Sequence, residues 1–336
     1  MKQILIAGGG PAGAAAAISG RLEGSPVRLI ERATTARHKV CGEFISPGAC
    51  EILEALHAGD EFRALGPYRI RRCTLHLGNR TKQWRLQETA WGLSRLQLDR
   101  LLLDKAAALG AVVERGEAFE GRPKDFQGCV IVACGRTQPP ERGDRLFGFK
   151  AHFEGPADDA IELFFDHEGY IGVGCVEDGL TNVCGIARES ILRKYGFDFD
   201  AVAARSNVLS ERIRPLQRRM RWIVTGPLSF STPSHFGSGP DVYAAGDSLG
   251  FVDPFTGSGI LNGLLTGRLA GIAAARQTAS SEYLRECRAR LARPFFVSSI
   301  LRQLISRTEV HWLEPLLPGQ VLFRWTRAGR ADGTQL

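Results

Sequence analysis

A carboxylate and a glycine-rich turn lie close together in the C-terminal half of the chain. Residues 242–245 form a short apolar run, typical of a buried strand, which ends at Gly246 and Asp247. A glycine-rich loop then leads into a helix. A carboxylate at a strand end can accept hydrogen bonds from sugar or ribityl hydroxyls, and free N–H groups at a helix N-terminus can contact an anion or an electron-rich ring. The residues expected to contribute are Gly246, Asp247, Pro254, Gly257, Ser258, Gly259 and Ile260.

The N-terminus carries the matching half of a dinucleotide site. An apolar run at residues 4–6 predicts a buried parallel strand, and a G-x-G-x-x-G turn and an alanine-rich helix follow it. In that pattern Gly8 permits the tight turn, Gly10 lets the backbone approach a pyrophosphate, and Gly13 lets the helix pack closely on the strand. The expected pyrophosphate contacts are Gly8, Gly10, Pro11, Ala12 and Gly13.

An acid follows at the distance that this fingerprint requires. The apolar run 27–30 ends at Glu31, about 20 residues after the glycines, where a ribose-binding carboxylate is expected. Glu31 followed by Arg32 does not strongly indicate a 2′-phosphate site, so we expect an adenosine without a 2′-phosphate. No second fingerprint follows another strand, and we expect no redox cysteine pair of C-x-x-C or C-x₄-C spacing. We therefore expect one tightly bound dinucleotide and no chemistry of the disulfide-reductase type.

The composition is that of an ordinary globular protein, with 44% apolar and 24% charged residues. No apolar run approaches the roughly 20 residues that span a bilayer. The first strand signal begins near residue 2, so we expect no signal peptide and a cytoplasmic location. The eight cysteines lack metal-ligand spacing, so we expect free thiols and no metal site.

The net charge of +7 is concentrated towards the C-terminus. Residues 285–330 contain nine arginines and three glutamates, interleaved with apolar side chains at helical spacings. Solvated helix faces, an anionic substrate, a biosynthetic complex and a membrane surface all fit this pattern. No nucleic-acid motif accompanies the charge, so we expect no nucleic-acid partner.

Strand and helix signals alternate through the first half of the chain. Residues 92–111 predict a helix with Ser94 as its N-cap. Arg95 lies in the first turn, where the helix dipole disfavours a cation, so a bound anion would explain it. Strand signals at 112–113 and 129–133 follow the helix. This βαβ order predicts a parallel sheet.

We therefore predict an α/β fold. It combines a Rossmann-like parallel sheet that binds the dinucleotide, an inserted strand-rich antiparallel substrate domain, and a C-terminal helical segment. Alternating apolar segments separated by turn residues support the insertion. The expected boundaries are 1–48, 92–145 and 233–280 for the dinucleotide domain, 49–91 and 146–232 for the substrate domain, and 281–336 for the basic helical segment.

The order of these motifs resembles the p-hydroxybenzoate hydroxylase-like FAD superfamily, and most closely its geranylgeranyl reductase branch. The resemblance runs from Lys2 to about Ala275. It rests on residues 8–13, Glu31, 39–47, Arg95 with its helix, 168–174 with 181–183, and 246–259.

This resemblance implies FAD as the cofactor. Its pyrophosphate would contact residues 10–13 and Arg95. Glu31 would bind the adenosine ribose, and Asp247 the ribityl chain. Residues 257–260 would face the isoalloxazine ring, where backbone N–H groups stabilise charge on the reduced flavin. The other implied cofactor contacts are Arg32, Gly42, Ala118, Cys134 and Gly135.

Two departures from the family's sequence pattern reduce the number of reactions that the resemblance implies. The aromatic hydroxylases carry an Asp-Gly pair tied to NAD(P)H use, and this chain has Cys134 and Gly135 instead. NAD(P)H is therefore left as a possible transient reductant. The segment from Lys39 to Glu43 resembles a halogenase element, but no Trp-x-Trp-x-Ile-Pro segment accompanies it. We therefore do not expect halogenation.

Three functions remain open at this stage. The first is reduction of a C=C bond in an isoprenoid, polyketide or quinone. The second is monooxygenation, in which a flavin hydroperoxide hydroxylates or epoxidises an aromatic or lipid-like substrate. The third is binding of FAD or a lipid without turnover. A hydrophobic small-molecule substrate is common to the two enzymatic alternatives.

The candidate catalytic residues are Cys41, Glu43 and Tyr170, placed by the resemblance near the flavin and the substrate. Each has a structural alternative. Cys41 would also serve as a small buried apolar residue. Glu43 would also serve as an ion-pair partner of Lys39, and Tyr170 as a packing residue.

Overall fold

Two β-sheets and nine α-helices make up the part of the chain that the computed structural model describes. That part comprises residues 2–78, 80–120, 126–136, 143–166, 169–231, 239, 241–251 and 256–305, with the backbone alone for 299–305. The strands are β1 (Ile4–Ala7), β2 (Val27–Glu31), β3 (Phe44–Ile45), β4 (Tyr68–Leu77), β5 (Arg80–Gly92), β6 (Val112–Arg115), β7 (Cys129–Val132), β8 (Leu146–Glu154), β9 (Ala160–Asp166), β10 (Gly169–Cys175), β11 (Leu180–Arg188), β12 (Gln217–Arg218), β13 (Ile223–Leu228) and β14 (Val242–Ala244). The helices are α1 (Pro11–Leu22), α2 (Pro47–Ala55), α3 (Gly59–Ala64), α4 (Arg95–Ala108), α5 (Glu189–Lys194), α6 (Phe199–Ala203), α7 (Asn207–Ile213), α8 (Gly259–Ala275) and α9 (Ser280–Ile305).

The first sheet is parallel and has the strand order β14-β7-β1-β2-β6. β1 is central, so Ile4 lies opposite both Val27 of β2 and Cys129 of β7. β1, β7 and β14 are buried along their whole length, as strands of a parallel sheet usually are. Because all five strands run in one direction, their carboxyl ends meet at a single edge. The α/β fold predicted from the sequence is confirmed.

Helix α8 packs on α1 at backbone distance. A Cβ on Gly267 would lie 2.0 Å from the carbonyl oxygen of Ala12, and a Cβ on Gly271 would lie 2.3 Å from that of Ala16. Only glycine leaves room for this approach. The contact fixes the N-terminus of α8 close to the turn that precedes α1.

The second sheet is mostly antiparallel and has the order β12-β8-β11-β10-β9-β4-β5-β3, with β13 also paired to β8. Phe149, Ile171 and Val183 lie on one face and pack against α5, α6 and α7. Alternate residues point to the opposite face. This opposite face, termed the loop-side face because residues 38–46 cross it, carries Lys150, His152, Asn182, Cys184, Tyr170, Gly172 and Gly174.

The start of the expected substrate domain differs from the strand-rich structure predicted for it. Residues 47–64 form α2 and α3, and strand structure begins only at β4. Leu53, Leu56 and Phe62 repeat at helical spacing and are buried in the same core as α1 and α8. The domain boundaries themselves stay a prediction.

The predicted helix after Gly92 is confirmed as α4. Ser94 is its N-cap, and the Ser94 hydroxyl accepts a hydrogen bond of 3.3 Å from the N–H of Gln97. Within the described ranges, no helix combines the length and the apolar character that crossing a membrane requires. Residues 306–336, which hold much of the basic segment, lie outside the described residues. Membrane or complex contact through that segment and a cytoplasmic location stay predictions.

Candidate functional site

The glycine fingerprint forms the turn between β1 and α1. Gly8 has φ of 103°, and a Cβ there would lie 2.4 Å from the carbonyl oxygen of Ala133. A Cβ on Gly13 would lie 1.8 Å from the carbonyl oxygen of Gly8. Gly10 is the N-cap of α1 and Pro11 its first residue. The N–H groups of the first helical turn therefore face the carboxyl edge of the parallel sheet.

Glu31 ends β2, and its carboxylate points towards the fingerprint. Oε2 accepts a hydrogen bond of 2.6 Å from the N–H of Gly9, and Oε1 accepts one of 2.9 Å from the N–H of Ala33. These bonds fix the carboxylate beside the turn, where a ribose-binding acid is expected. Arg32 and Ala118 are exposed at the same edge, after β2 and β6.

Arg95 places a fixed cation above the fingerprint. Its guanidinium donates hydrogen bonds of 2.8 and 2.9 Å to the two oxygens of Asp99. Its Nη2 would lie 3.7 Å from a Cβ on Gly10. Burial opposes ionisation of Asp99, but the charge of Arg95 outweighs it and holds the pKa of Asp99 below its usual value. The position of the guanidinium supports the predicted pyrophosphate contact.

Asp247 follows β14 in a short turn. Gly246 opens that turn with φ of 61°, and a Cβ on it would lie 2.8 Å from Cβ of Ala12. Burial raises the pKa of Asp247, although the charges of Arg136 and Arg95 oppose the rise. A half-buried carboxyl group at the carboxyl edge suits a hydroxyl-bearing partner, as predicted for the ribityl chain.

The N-terminus of α8 completes this edge. Ser258 is buried, and its hydroxyl oxygen lies 2.7 Å from that of Thr256. Gly259 is exposed, and a Cβ there would meet no atom within 4 Å. Both side-chain amide atoms of Asn262 are buried without a hydrogen-bond partner in the described part of the chain. Open space beside an unpaired amide suits a ring with polar edges, so the residues of this edge fit FAD.

The remaining predicted cofactor contacts lie around the same edge. Ile260 is buried in the first core, and Gly257 precedes α8 with φ of 65°. Gly135 has φ of 87°, with open space where a Cβ would stand. Gly42 is exposed in the loop that crosses the second sheet. Pro254 lies outside the described residues.

Cys129 and Cys134 have the C-x₄-C spacing of some redox pairs, so the expectation that this spacing is absent was wrong. The extended β7 places their Cα atoms about 16 Å apart, too far for a disulfide. Cys129 is buried and its thiol donates to the carbonyl oxygen of Ala274, whereas the Cys134 thiol donates to that of Ala7. The two thiols are therefore structural and separate.

A buried charge cluster joins the loop 38–46 to the loop-side face. Lys150 Nζ and His152 Nε2 donate to the two carboxylate oxygens of Glu43, the latter over 2.6 Å. The N–H of Arg95 donates a further bond of 2.7 Å to Oε1. Burial opposes ionisation of Glu43, but the hydrogen bond from His152 and the charge of Lys150 hold its pKa below the usual value. Glu43 therefore links the two sheets as a carboxylate.

His38 is a half-buried residue at the edge of this cluster. Its ring lies 5.0 Å from that of His152, and its Nδ1 is buried without a partner in the described ranges. Burial, with the charges of Lys150 and His152, lowers the pKa of His38. Ligand atoms of His38, Glu43 and His152 lie within 4.8 Å of one another, a spacing that a metal ion could use. Lys150 already matches the charge of Glu43, so we assign no metal, and its absence stays a prediction.

Two thiols lie where the loop meets the loop-side face. Cys41 Sγ accepts a hydrogen bond of 3.3 Å from the N–H of Glu43, and the Asn182 side-chain amide donates one of 3.0 Å to the Cys41 carbonyl. Burial raises the pKa of the Cys41 thiol. Burial also raises the pKa of the Cys184 thiol, to about 12. Both are protonated at neutral pH, so neither is poised as a nucleophile.

Tyr170 shares the loop-side face but not the charge cluster. It lies two strands away from Lys150 and two residues further along, which separates the Cα atoms by about 12 Å. Its ring packs beside Phe165, with ring centroids 5.6 Å apart. The role of Tyr170 at the substrate stays a prediction.

Sequence reasoning did not select Lys150 and His152. A signal for them exists, because they alternate with Phe149, Ala151 and Phe153 in one strand. That alternation places the two polar residues together on one face. The sequence does not show which loop covers that face, so their partner Glu43 could not be identified from the sequence.

Replacing Arg95 with glutamine is expected to weaken FAD binding about a hundredfold, the loss of one to two charge-assisted hydrogen bonds. The measurement is a fluorescence-quench titration of the apoprotein with FAD. Arg100→Gln is the matched control, since Arg100 lies in the same helix with its side chain 71% exposed. Equal affinity of the Arg95 variant and the control would place the pyrophosphate elsewhere.

The comparisons with known proteins agree with this geometry. The family described as "FAD binding domain" matches residues 1–141. No curated protein sequence matches the chain. Solved structures, in contrast, match it along almost its whole length.

Three of these structures show the kinds of flavoprotein that share the fold of this chain. The flavin-dependent halogenase CmlS aligns with a TM-score of 0.75 at 19% identity, over 98% of this chain and 68% of its own. The flavin-dependent brominase Bmp2 aligns at 0.78 and 16% identity, over 94% and 89%. A geranylgeranyl bacteriochlorophyll reductase-like protein from Thermoplasma acidophilum aligns at 0.71 and 19% identity, over 96% and 89%. At these identities the likeness shows a common fold.

Proposed function

This chain is an FAD-dependent enzyme of the oxidoreductase or monooxygenase type, and we propose that it reduces a C=C bond in an apolar substrate. The proposed substrate position is the strip between the loop 38–46 and the loop-side face. FAD would be held by the fingerprint, Glu31, Arg95, Asp247 and the N-terminus of α8. When bound and reduced, it supplies the hydride.

The apolar character of the strip supports this proposal. Gly172 and Gly174 carry no side chain, and β9 supplies the cover: a Cβ on Gly172 would lie 3.4 Å from Leu163, and one on Gly174 would lie 2.7 Å from Ile161. Leu163 and Ile161 are half-buried, so they present apolar surface beside the exposed Gly42 loop. Such a surface suits an isoprenoid, polyketide or quinone better than a polar substrate.

Two half-buried thiols beside the strip, those of Cys41 and Cys184, carry the proposal. Reduction of a C=C bond consumes one hydride and one proton, so the site needs an acid at neutral pH. The thiols of Cys41 and Cys184 both have raised pKa values and keep their protons. Lys150, His152 and Glu43 lie directly behind them and exclude water from the back of the strip.

Monooxygenation is the second candidate, and His38 is the observation that favours it. Its lowered pKa keeps the imidazole neutral near pH 7, and one ring nitrogen has no partner in the described ranges. A neutral imidazole beside the strip could accept a phenolic proton and activate an aromatic ring. Halogenases share the fold, but the fold does not fix the reaction.

The deciding experiment is anaerobic stopped-flow absorbance of the purified holoenzyme. NADPH, NADH or dithionite reduces the flavin, and geranylgeranyl diphosphate is then added before any oxygen. We expect the organic acceptor to reoxidise the flavin without O₂. Reoxidation by O₂ alone, through a transient hydroperoxyflavin band, would support monooxygenation. Bound flavin that none of the three donors reduces would indicate binding without turnover.

A further inference from the structure

We propose that Cys184 is the proton donor to the substrate and that Lys150 returns the proton to it. This inference rests on the proposed reduction, and it assigns the acid to a residue that the sequence motifs do not indicate. Three features of the loop-side face carry it: the neighbours of Cys184 in the sheet, its position under the loop, and an unpaired side-chain carbonyl beside it.

The register of the sheet gives Cys184 two different neighbours. Lys150 lies directly opposite it on β8, and Gly172 lies directly opposite it on β10. Opposed residues in antiparallel strands have Cβ atoms about 4.5–5.5 Å apart, so the thiol is beside the lysine side chain. On the other flank Gly172 has no side chain, and the Leu163 side chain of β9 lies over it. The thiol therefore lies between a buried cation and the apolar side chains of β9.

The loop lies directly over the thiol without burying it completely. A Cβ on Gly42 would lie 3.9 Å from Cys184 Sγ, in van der Waals contact, and Cys184 is half-buried. Lys150, in contrast, has no exposed side-chain surface. Cys184 is the member of this Lys-Cys pair that a substrate can touch, and Lys150 acts through it.

An unpaired side-chain carbonyl in the same strand points to a bound molecule, while the Nδ2 of the same amide donates to the Cys41 carbonyl. Asn182 lies two residues before Cys184, between His152 on β8 and Gly174 on β10, and is only 1% exposed. Its Oδ1 has no hydrogen-bond partner in the described part of the chain. A buried carbonyl oxygen left unpaired is unfavourable, so a donor group is expected there in the working complex. A substrate hydroxyl would satisfy it and fix the C=C bond beside the thiol.

Cys41 is less suited to the same task. Its Sγ already accepts a hydrogen bond from Glu43, and the charge of Arg95 acts on it from the cofactor side. The charged and titratable groups that face Cys184 are Lys150 and His152 from β8, and Cys41 and Glu43 from the loop. His38 is the half-buried end of this set, with its ring 5.0 Å from that of His152.

The proton and electron balance is as follows. The C=C bond gains the hydride at one carbon and the thiol proton of Cys184 at the other, so two C–H bonds replace the π bond. The reduced cofactor would supply the two electrons, and Cys184 would be left as a thiolate. The ammonium of Lys150 would protonate that thiolate and regain a proton from solvent by way of His152 and Glu43, whose carboxylate accepts hydrogen bonds from both His152 and Lys150.

The first test needs no substrate, so its result is independent of the proposed function. Holoenzyme is treated with iodoacetamide from pH 7 to 10, and each cysteine is followed by peptide mass spectrometry. We expect Cys184 to be labelled at a rate that rises with pH, while Cys175, buried in the same sheet, stays unlabelled. In Lys150→Met the Cys184 rate at pH 9 should fall about tenfold, since loss of the cation raises the thiol pKa. Cys184 that stays unlabelled at pH 10, or an unchanged rate in Lys150→Met, would overturn the proposal.

The second test uses Cys184→Ser, which keeps the fold if Lys150→Met does not. After anaerobic reduction, reoxidation by the organic acceptor that serves the wild-type enzyme should slow about a hundredfold, the usual scale for loss of a general acid. FAD affinity and the rate of flavin reduction should stay unchanged. Cys50→Ser, on α2 and outside the site, is the control. Wild-type reoxidation with an unchanged rate in Cys184→Ser refutes the donor role alone, whereas absent wild-type reoxidation refutes the reductase function.

Discussion

Gly13→Ala is expected to remove bound FAD and to lower the melting temperature by several degrees. A Cβ on Gly13 would lie 1.8 Å from the carbonyl oxygen of Gly8 and 3.0 Å from its carbonyl carbon. Both atoms belong to the backbone of the fingerprint turn, so no side-chain rotation relieves the contact. Helix α1 must move away from β1, which separates the N–H groups that we expect to contact the pyrophosphate. Overpacking of this kind costs about 1–3 kcal/mol.

The measurement for Gly13→Ala combines the flavin-to-protein absorbance ratio with thermal unfolding of the apoprotein. Gly259→Ala is the matched control, because a Cβ on Gly259 would meet no atom within 4 Å. We expect that variant to unfold like the wild type and to lose FAD affinity only, since its new methyl group enters the space left for the cofactor. Normal FAD content in Gly13→Ala would contradict the proposed packing of the fingerprint.

Lys150→Met is expected to lower the free energy of unfolding by about 3–5 kcal/mol, the usual cost of leaving one partner of a buried ion pair uncompensated. Glu43 and Lys150 both have fully buried side chains. Without the ammonium, the Glu43 carboxylate keeps His152 as its main partner. The double variant Glu43→Gln/Lys150→Met removes both charges and should recover part of the loss. Urea unfolding of the wild type, the two single variants and the double variant gives the coupling energy directly.

Arg145→Met is the control for that cycle, because it removes a salt bridge to Glu189 at the surface. Exposed ion pairs contribute little to stability, so we expect an unfolding curve close to that of the wild type. A loss in Lys150→Met no larger than in Arg145→Met would show that the Glu43 cluster does not hold the two sheets together.

The same cluster predicts how stability depends on pH. The pKa of His38 is lowered in the fold, so the unfolded chain binds a proton more readily once the pH falls below about 6.5. The pKa of Glu43 is also lowered, so its contribution is complete above about 4.3 and is lost as the pH falls through the folded-state value. Both groups make the fold less stable in acid. In His38→Gln, the loss of stability that comes from protonation of His38 should be absent when urea unfolding is measured between pH 7 and 5.

The cofactor half of the site could be predicted from short segments of sequence. Gly8 to Gly13, Glu31 and the α4 cap each depend on residues close together in the chain, where strand, turn and helix signals fix local geometry. The common direction of the parallel strands then brings their carboxyl ends to one edge, so Asp247 joins the fingerprint even though they are distant in sequence.

The buried charge cluster depended on contacts that no local pattern contains. Glu43 is 107 residues from Lys150 and 109 from His152 in the chain. Alternation in β8 places those two residues on one face, but only the packed structure shows that the loop 38–46 covers it. The same is true of Cys184, whose neighbours Lys150 and Gly172 are set by strand register.

The sequence by itself thus determined a dinucleotide site, the parallel sheet and the groups at its carboxyl edge, because those features follow from local backbone geometry and helix N-termini; FAD followed from the family resemblance. The tertiary structure alone decided which buried charges meet, which thiol lies beside the buried lysine, and that Tyr170 lies about 12 Å from the charge cluster. The physical reason is register. A shift of one residue in a strand exchanges its two faces, so side-chain partners across a sheet are fixed only when all the strands are paired.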